Sequence, residues 1–173
     1  MDDLSHYSVV ERLRGGLTLE IRALRPDDRA GLLAAVDHTS AQSLYRRFFG
    51  AKRHFTDKEI AFFLNVDFTS HVALVATVDE DGERVIVGGA RYVVTQPGQA
   101  EVAFTVIDHY QGRGVGAALM RHLVDIARRS GLAELTAEIL PGNAPMLKLF
   151  ERCGLPLGRR REAEAVHVVL RLT

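Results

Sequence analysis

The sequence predicts one α/β domain of the α+β kind, with a mixed, mostly antiparallel central sheet flanked by helices. Three observations carry that expectation. Alternating runs rich in β-branched and aromatic residues recur at residues 17–24, 71–79, 84–95 and 100–107. Two of them are joined by Glu80, Asp81 and Gly82, a hairpin signal that sets neighbours antiparallel. A glycine turn, Gln111-Gly112-Arg113-Gly114-Val115-Gly116-Ala117, separates a strand from an amphipathic helix.

The elements follow in order. Residues 1–15 lack clear periodicity and read as a loosely packed N-terminal tail, leaving residues 16–173 as the domain. After the strand at 17–24, Pro26, Asp27 and Asp28 open a helix through Val36, since proline and acidic residues suit a first turn. Thr39 and Ser40 cap a second helix over 41–48. Thr56 and Glu59 have capping-box spacing and open a third over 57–64. Pro97 and Gly98 turn the hairpin into the strand at 100–107. Beyond the glycines, Val115, Leu119, Leu123, Ile126 and Ala127 make one helical face. Arg121, Asp125, Arg128 and Arg129 take the other face, and Gly131 stands just past the end. Residues 159–161 and 166–172 supply one or two last strands.

Composition narrows the function. The chain has 173 residues, the size of one domain, and its 47% hydrophobic content is ample for a single core. Its 22 basic and 22 acidic residues give a formal charge of zero, so no general field draws it to nucleic acid or an anionic membrane. No apolar run approaches a membrane span, and Met1-Asp2-Asp3 is no signal peptide, so a cytoplasmic location is the default expectation. A lone cysteine, Cys153, cannot build a disulfide framework and reads as a small packed residue.

The glycine turn carries the chemistry. Glycine lets backbone approach a ligand with no Cβ in the way. A helix start offers unpaired N–H groups and a partial positive charge, a cradle for phosphate. Arg113 adds a full charge at the rim. A nucleotide-triphosphate loop would need Gly-Lys-Ser/Thr where this chain has Val115, Gly116 and Ala117. Gly112, Gly114 and Ala117 satisfy a dinucleotide fingerprint, but Asp108, His109, Tyr110 and Gln111 hold the glycines away from the strand end. What remains is the Q/R-x-x-G-x-G/A loop for the pyrophosphate of coenzyme A, met at each specified position by residues 111–116.

On this loop the chain resembles the GNAT (Gcn5-related N-acetyltransferase) family. The resemblance extends to a strand at 134–140, then to Asn143, Met146, Leu147, Leu149, Gly154 and Leu155, which look like the family's shorter helix beside the pantetheine arm. It spans about residues 17–172 and implies the GNAT fold. Residues 43–49, 55–57 and 73–76 look closest to the acetyltransferase domain of bacterial Pat-type protein-lysine acetyltransferases. There the domain is fused to an acyl-CoA-synthetase-like or cyclic-nucleotide-binding module. These 173 residues hold no such module, so that regulation does not carry over.

Acyl transfer to an amine needs a neutral amine, and a free lysine has a pKa of about 10.4. A carboxylate nearby can take the proton directly or through water. Glu101 is the candidate: the resemblance places a general base within Ala100-Glu101-Val102-Ala103. Taken by itself, Glu101 reads as an exposed glutamate on a solvent face. The resemblance also implies that Phe104, Thr105 and Val106 line the pantetheine arm through their backbones. Asn143 either contacts the cofactor or caps its helix. Many members carry a tyrosine on that helix to protonate the leaving thiolate; here Phe150 stands in its place. Tyr45, Arg46 and Arg47 border the acceptor site in such proteins and are specificity candidates. His109, His122 and the other histidines lack metal-ligand spacing, so no metal is expected. The Arg159-Arg160-Arg161 run reads as a solvated edge or as a surface for an acidic acceptor.

The leading expectation is an acetyl-CoA-dependent N-acetyltransferase acting on protein lysine, with an acyl-CoA synthetase as one kind of acceptor. The first alternative is the same chemistry on a small amine. The second is an acyl-CoA-binding sensor without turnover. Nucleic acid and membrane are not expected partners, and a homodimer is what the family habit implies.

Overall fold

The computed structural model describes residues 3–38, 55–162 and 164–172. The expected helix at 41–48, its Thr39 and Ser40 cap, and Tyr45, Arg46 and Arg47 lie outside the described residues.

Eight strands form one sheet: β1 (Ser8–Arg12), β2 (Thr18–Ala23), β3 (His71–Glu80), β4 (Glu83–Gln96), β5 (Gln99–Val106), β6 (Glu134–Ile139), β7 (Leu157–Arg161) and β8 (Val166–Arg171). Their order is β1-β2-β3-β4-β5-β6-β8-β7. Every pairing is antiparallel except β5 with β6. The β3–β4 turn puts Asp81 and Gly82 at φ 52° and 88°, the left-handed pair that a two-residue hairpin needs.

Among the described residues the helices are α1 (Arg29–Asp37), α2 (Asp57–Leu64), α3 (Val115–Arg129) and α4 (Ala144–Glu151). They divide between the two faces of the sheet. Leu119, Leu123 and Ile126 of α3 are buried with Leu74, Tyr92 and Phe104 in the larger core. Gly88 on β4 makes that approach close: a Cβ there would meet Val115 and Leu119 side-chain carbons at 3.2 Å. On the opposite face a smaller cluster of Leu24, Ala73, Val75 and Ile86 packs against Leu32 of α1 and Leu64 of α2.

Two local devices fix the second face. Thr56 caps α2 by accepting from the Glu59 N–H at 3.1 Å, while the Glu59 carboxylate accepts from the Thr56 N–H at 3.1 Å. Arg22 of β2 donates to both carboxylate oxygens of Asp28 at 2.8 Å, and Asp28 also accepts from the Arg25 N–H at 2.7 Å. Proline does open this region, but Pro26–Asp28 is a 3-10 turn and the α-helix begins at Arg29.

The N-terminal tail expected over residues 1–15 is a correction. Ser8–Arg12 pairs with β2 along its whole length. Tyr7 and Glu11 reach α3: the Tyr7 hydroxyl lies 2.5 Å from His122 Nδ1, and His122 Nε2 lies 2.9 Å from Glu11 Oε2. Arg121 donates to the other Glu11 oxygen at 2.5 Å. These are partners more than 100 residues away, which no local pattern encodes.

The pairing of β5 with β6 positions the site. It covers Gln99 with Glu134, Ala100 with Leu135 and Glu101 with Thr136, and then stops. Both strands continue, β5 for five residues beyond Glu101 and β6 for three beyond Thr136. A parted pair of parallel strands exposes backbone N–H and C=O groups on their facing edges.

Candidate active site

The parting leaves part of β5 free to bind. Ile107 donates its N–H to Val87 O at 2.9 Å, on the β4 side. Strand alternation therefore turns the N–H and C=O of Phe104 and Val106 away from β4, toward the opening. The Val106 carbonyl accepts there from Gln111 Nε2 at 3.0 Å. Thr105 differs from the expectation. Its backbone faces Gly89 of β4 in register, and its side chain points to the α1–α2 face. Of the three residues expected to use their backbones, Phe104 and Val106 have the geometry for it.

The glycine loop meets β5 at this point. A 3-10 turn, Asp108–Tyr110, leads into residues 111–114, and α3 begins at Val115. Gly112 and Gly114 have φ of 75° and 90°, a region that a side chain disfavours. Gly114 is the N-cap of α3, and no side chain caps this helix. The first helical hydrogen bond joins Ala118 N–H to Gly114 O at 3.0 Å. The N–H groups of Val115, Gly116 and Ala117 consequently have no partner within the helix. A bare helix start with exposed Arg113 at its rim suits a pyrophosphate.

The loop helix, β5 and α4 converge at Gly116. A Cβ on Gly116 would lie 3.8 Å from both Val106 and Leu149. Behind them Phe150 is buried and meets Phe104 edge-on at 6.1 Å. Phe150 is therefore core, and packs the strand that the resemblance assigns to the pantetheine arm. Asn143 is buried and caps α4, its side-chain oxygen accepting from the Met146 N–H at 3.3 Å. Cys153 donates its thiol to Phe150 O at 3.0 Å, as a packed residue does.

Glu101 lies where β5 and β6 part, and its side chain is exposed. Pairing sets His71, Val93, Glu101 and Thr136 in one row across β3, β4, β5 and β6. Their side chains share the α1–α2 face, as do those of Ala103 and Thr105. Beneath α1 and α2 this face holds a cavity of about 120 Å³. Ala103, Thr105, Gly89 and Arg91 line its floor; Leu32, Val36, Ile60 and Phe63 line its roof. Ala103 is two residues from Glu101, about 7 Å along the strand.

One polar pair near this cavity has no signature in the sequence. His71 is buried, with Nε2 3.0 Å from Arg91 Nη1. Burial and then the Arg91 charge push its pKa down to about 4, so its ring is neutral at pH 7. Arg91 also donates to Phe63 O at 3.1 Å and covers the Phe63 ring at 4.9 Å. These contacts tie α2 to the sheet. Histidine and arginine within alternating strands carry no signal that they will meet on one face of the sheet.

Comparison with known proteins agrees with this geometry. Residues 39–155 match the acetyltransferase (GNAT) family, and the chain belongs to that family. It is 35% identical to acetyltransferase PA5475 of Pseudomonas aeruginosa over 94% of this chain and 88% of that one. It is 33% identical to acetyltransferase Pat of Mycolicibacterium smegmatis over 83% of this chain, but spans only 43% of that longer protein. The crystal structure of the GNAT domain of S. lividans PAT superposes with a TM-score of 0.86 at 31% identity, covering 95% of this chain and 96% of that one. The chain is thus an N-acetyltransferase that uses acetyl-CoA, with the mixed GNAT sheet that the sequence led us to expect.

Proposed function

We propose that the protein acetylates lysine side chains of protein acceptors, with Glu101 as general base. The observation that carries this reading is the row that places Glu101 on the face of the apolar cavity, where β5 and β6 part. A lysine presents four methylenes and one amine, and the lining of Leu32, Val36, Ile60 and Phe63 suits such a stem. A sugar amine with many hydroxyls would leave those polar groups unpaired against the same walls. The likeness to the Pat domain, at 31% identity and TM-score 0.86, supports the same acceptor class.

In this reading the loop amides of residues 115–117 and Arg113 hold the pyrophosphate. Phe104 and Val106 hold the pantetheine arm, with Gly116 giving it room. Acetyl-CoA supplies an acyl group already activated as a thioester. The acceptor ammonium gives one proton to Glu101, and its freed lone pair attacks the acyl carbon. A C–N bond forms, the nitrogen releases its second proton to solvent, the C–S bond breaks, and the leaving thiolate takes a proton from solvent, since Phe150 has none to give.

The test is Glu101→Gln. Loss of a general base costs about 10²–10⁴ in rate. We expect kcat for free-thiol release with a purified acyl-CoA synthetase to fall within that range. Acetyl-CoA affinity, measured by calorimetry, should stay within about 2-fold, because Glu101 does not touch the phosphates. Unchanged turnover would remove Glu101 from the mechanism. Turnover with a small amine but with no protein acceptor would replace lysine with that amine.

A further inference from the structure

Tyr110 is absent from the reading of the coenzyme loop, yet its ring is buried directly beneath it. Its hydroxyl donates to Glu80 Oε1 at 2.6 Å, across to the far end of β3. Burial and then that carboxylate push the Tyr110 pKa up to about 12, so the phenol remains a donor throughout the physiological range. On its other side the ring carries the Arg113 guanidinium, with the central carbon 4.9 Å from the ring centroid. His109 meets the same ring edge-on at 5.4 Å. Arg113 makes no salt bridge with any described residue.

An exposed arginine on a glycine loop has many rotamers, and fixing it when ligand binds costs entropy. A planar cation resting on a ring face has already lost much of that freedom. The ring can serve only if it is itself held, and the bond to Glu80 fixes it. Glu80 lies 33 residues upstream of Arg113 in sequence and reaches it through one side chain.

We propose that Glu80 and Tyr110 are positioning residues that hold Arg113 ready for a phosphate of the coenzyme. The inference rests on the reading of residues 111–117 as the coenzyme loop. Neither residue touches the reacting atoms. Both act through the orientation of Arg113, and so on affinity for the donor rather than on the chemical step.

The experiment measures acetyl-CoA affinity by calorimetry at low and at raised salt, for the full chain and its variants. A cation–π contact is worth about 0.5–2 kcal/mol, so we expect Glu80→Ala and Tyr110→Leu to weaken binding by about 2- to 30-fold at low salt. Both should also flatten the salt dependence, because an arginine no longer held over the loop contributes less charge at the phosphate. Glu80→Gln, whose amide oxygen still accepts, should bind nearly as the parent does. In an Arg113→Ala background neither substitution should weaken binding further. Acetyl-dephospho-CoA distinguishes the phosphates: a variant effect that vanishes with it assigns Arg113 to the ribose phosphate, and one that persists assigns it to the pyrophosphate. Because Tyr110 is buried, the exposed Glu80 pair carries the result if Tyr110→Leu fails to fold. Parent-like binding in Glu80→Ala, or full additivity with Arg113→Ala, overturns the proposal. If Arg113→Ala itself leaves affinity and salt dependence unchanged, the reading of Arg113 as a phosphate contact fails, and the positioning role fails with it.

Discussion

Gly88 has a hydrogen where any other residue would press into the loop helix. A Cβ would sit 3.1 Å from the Thr105 carbonyl oxygen and 3.2 Å from Val115 and Leu119. The backbone oxygen cannot swing aside as a long side chain can. Gly88→Ala should therefore cost about 1–2 kcal/mol, seen as a lower urea midpoint, because overpacking a tight core strains its neighbours. It should also weaken acetyl-CoA binding severalfold, since Val115 begins the helix whose amides we propose hold the pyrophosphate. At this scale the sequence was informative where a residue type is rare for a reason, as with Gly112 and Gly114. It was silent on Gly88, which looks like any glycine in a strand. The resemblance to Pat-type domains singled out Glu101, but only the register shows that its side chain shares the sheet face that holds the cavity.

At the scale of elements, helix ends were the most legible features. Thr56 and Glu59 form the reciprocal cap that their spacing implies, and α2 runs over Asp57–Leu64 as expected. Thr56→Ala should destabilise that helix by about 1 kcal/mol, the usual loss for a cap. Ile60, Phe63 and Leu64 cover the cavity. The variant should thus raise KM for the acceptor by a fewfold while leaving acetyl-CoA affinity unchanged. Equal loss of both would place α2 outside acceptor binding. The edge strand β1 illustrates the opposite case. Only two of its residues, Val9 and Val10, are apolar, and both are exposed. The strand exists because β2 pairs with it and α3 anchors its flanks, so no periodicity within residues 1–15 could reveal it.

At the scale of the whole molecule, buried polar groups couple the fold to pH. His71 titrates near 4 in the folded chain against an ordinary value of 6.5. Between those values the unfolded chain binds a proton that the folded chain refuses. Stability should therefore fall as pH drops from 6.5 toward 4, and His71 should contribute no further change below that. Asp28 adds loss at still lower pH. Burial is the largest single influence and raises its pKa, but the Arg22 hydrogen bonds, the Arg25 N–H and the two arginine charges together outweigh it and hold the carboxyl below its usual 3.8. Urea midpoints measured from pH 7 to 4 should show the decline, and His71→Gln should make it shallower. A decline of the same slope in that variant would assign it to other groups.

The sequence by itself determined the order of the described elements from β2 onward, the reciprocal cap of α2, the hairpin turn and the glycine loop before α3. Each of these depends on neighbours within a few residues, where periodicity, proline, glycine and capping side chains act directly. Only the tertiary structure decided where β5 and β6 part, which face Glu101 shares with the cavity, and how Glu80 reaches Arg113 through Tyr110. Those features arise from strand register and from contacts between distant segments. Register is set by which faces the whole chain can bury at once, and no short window of sequence contains that information.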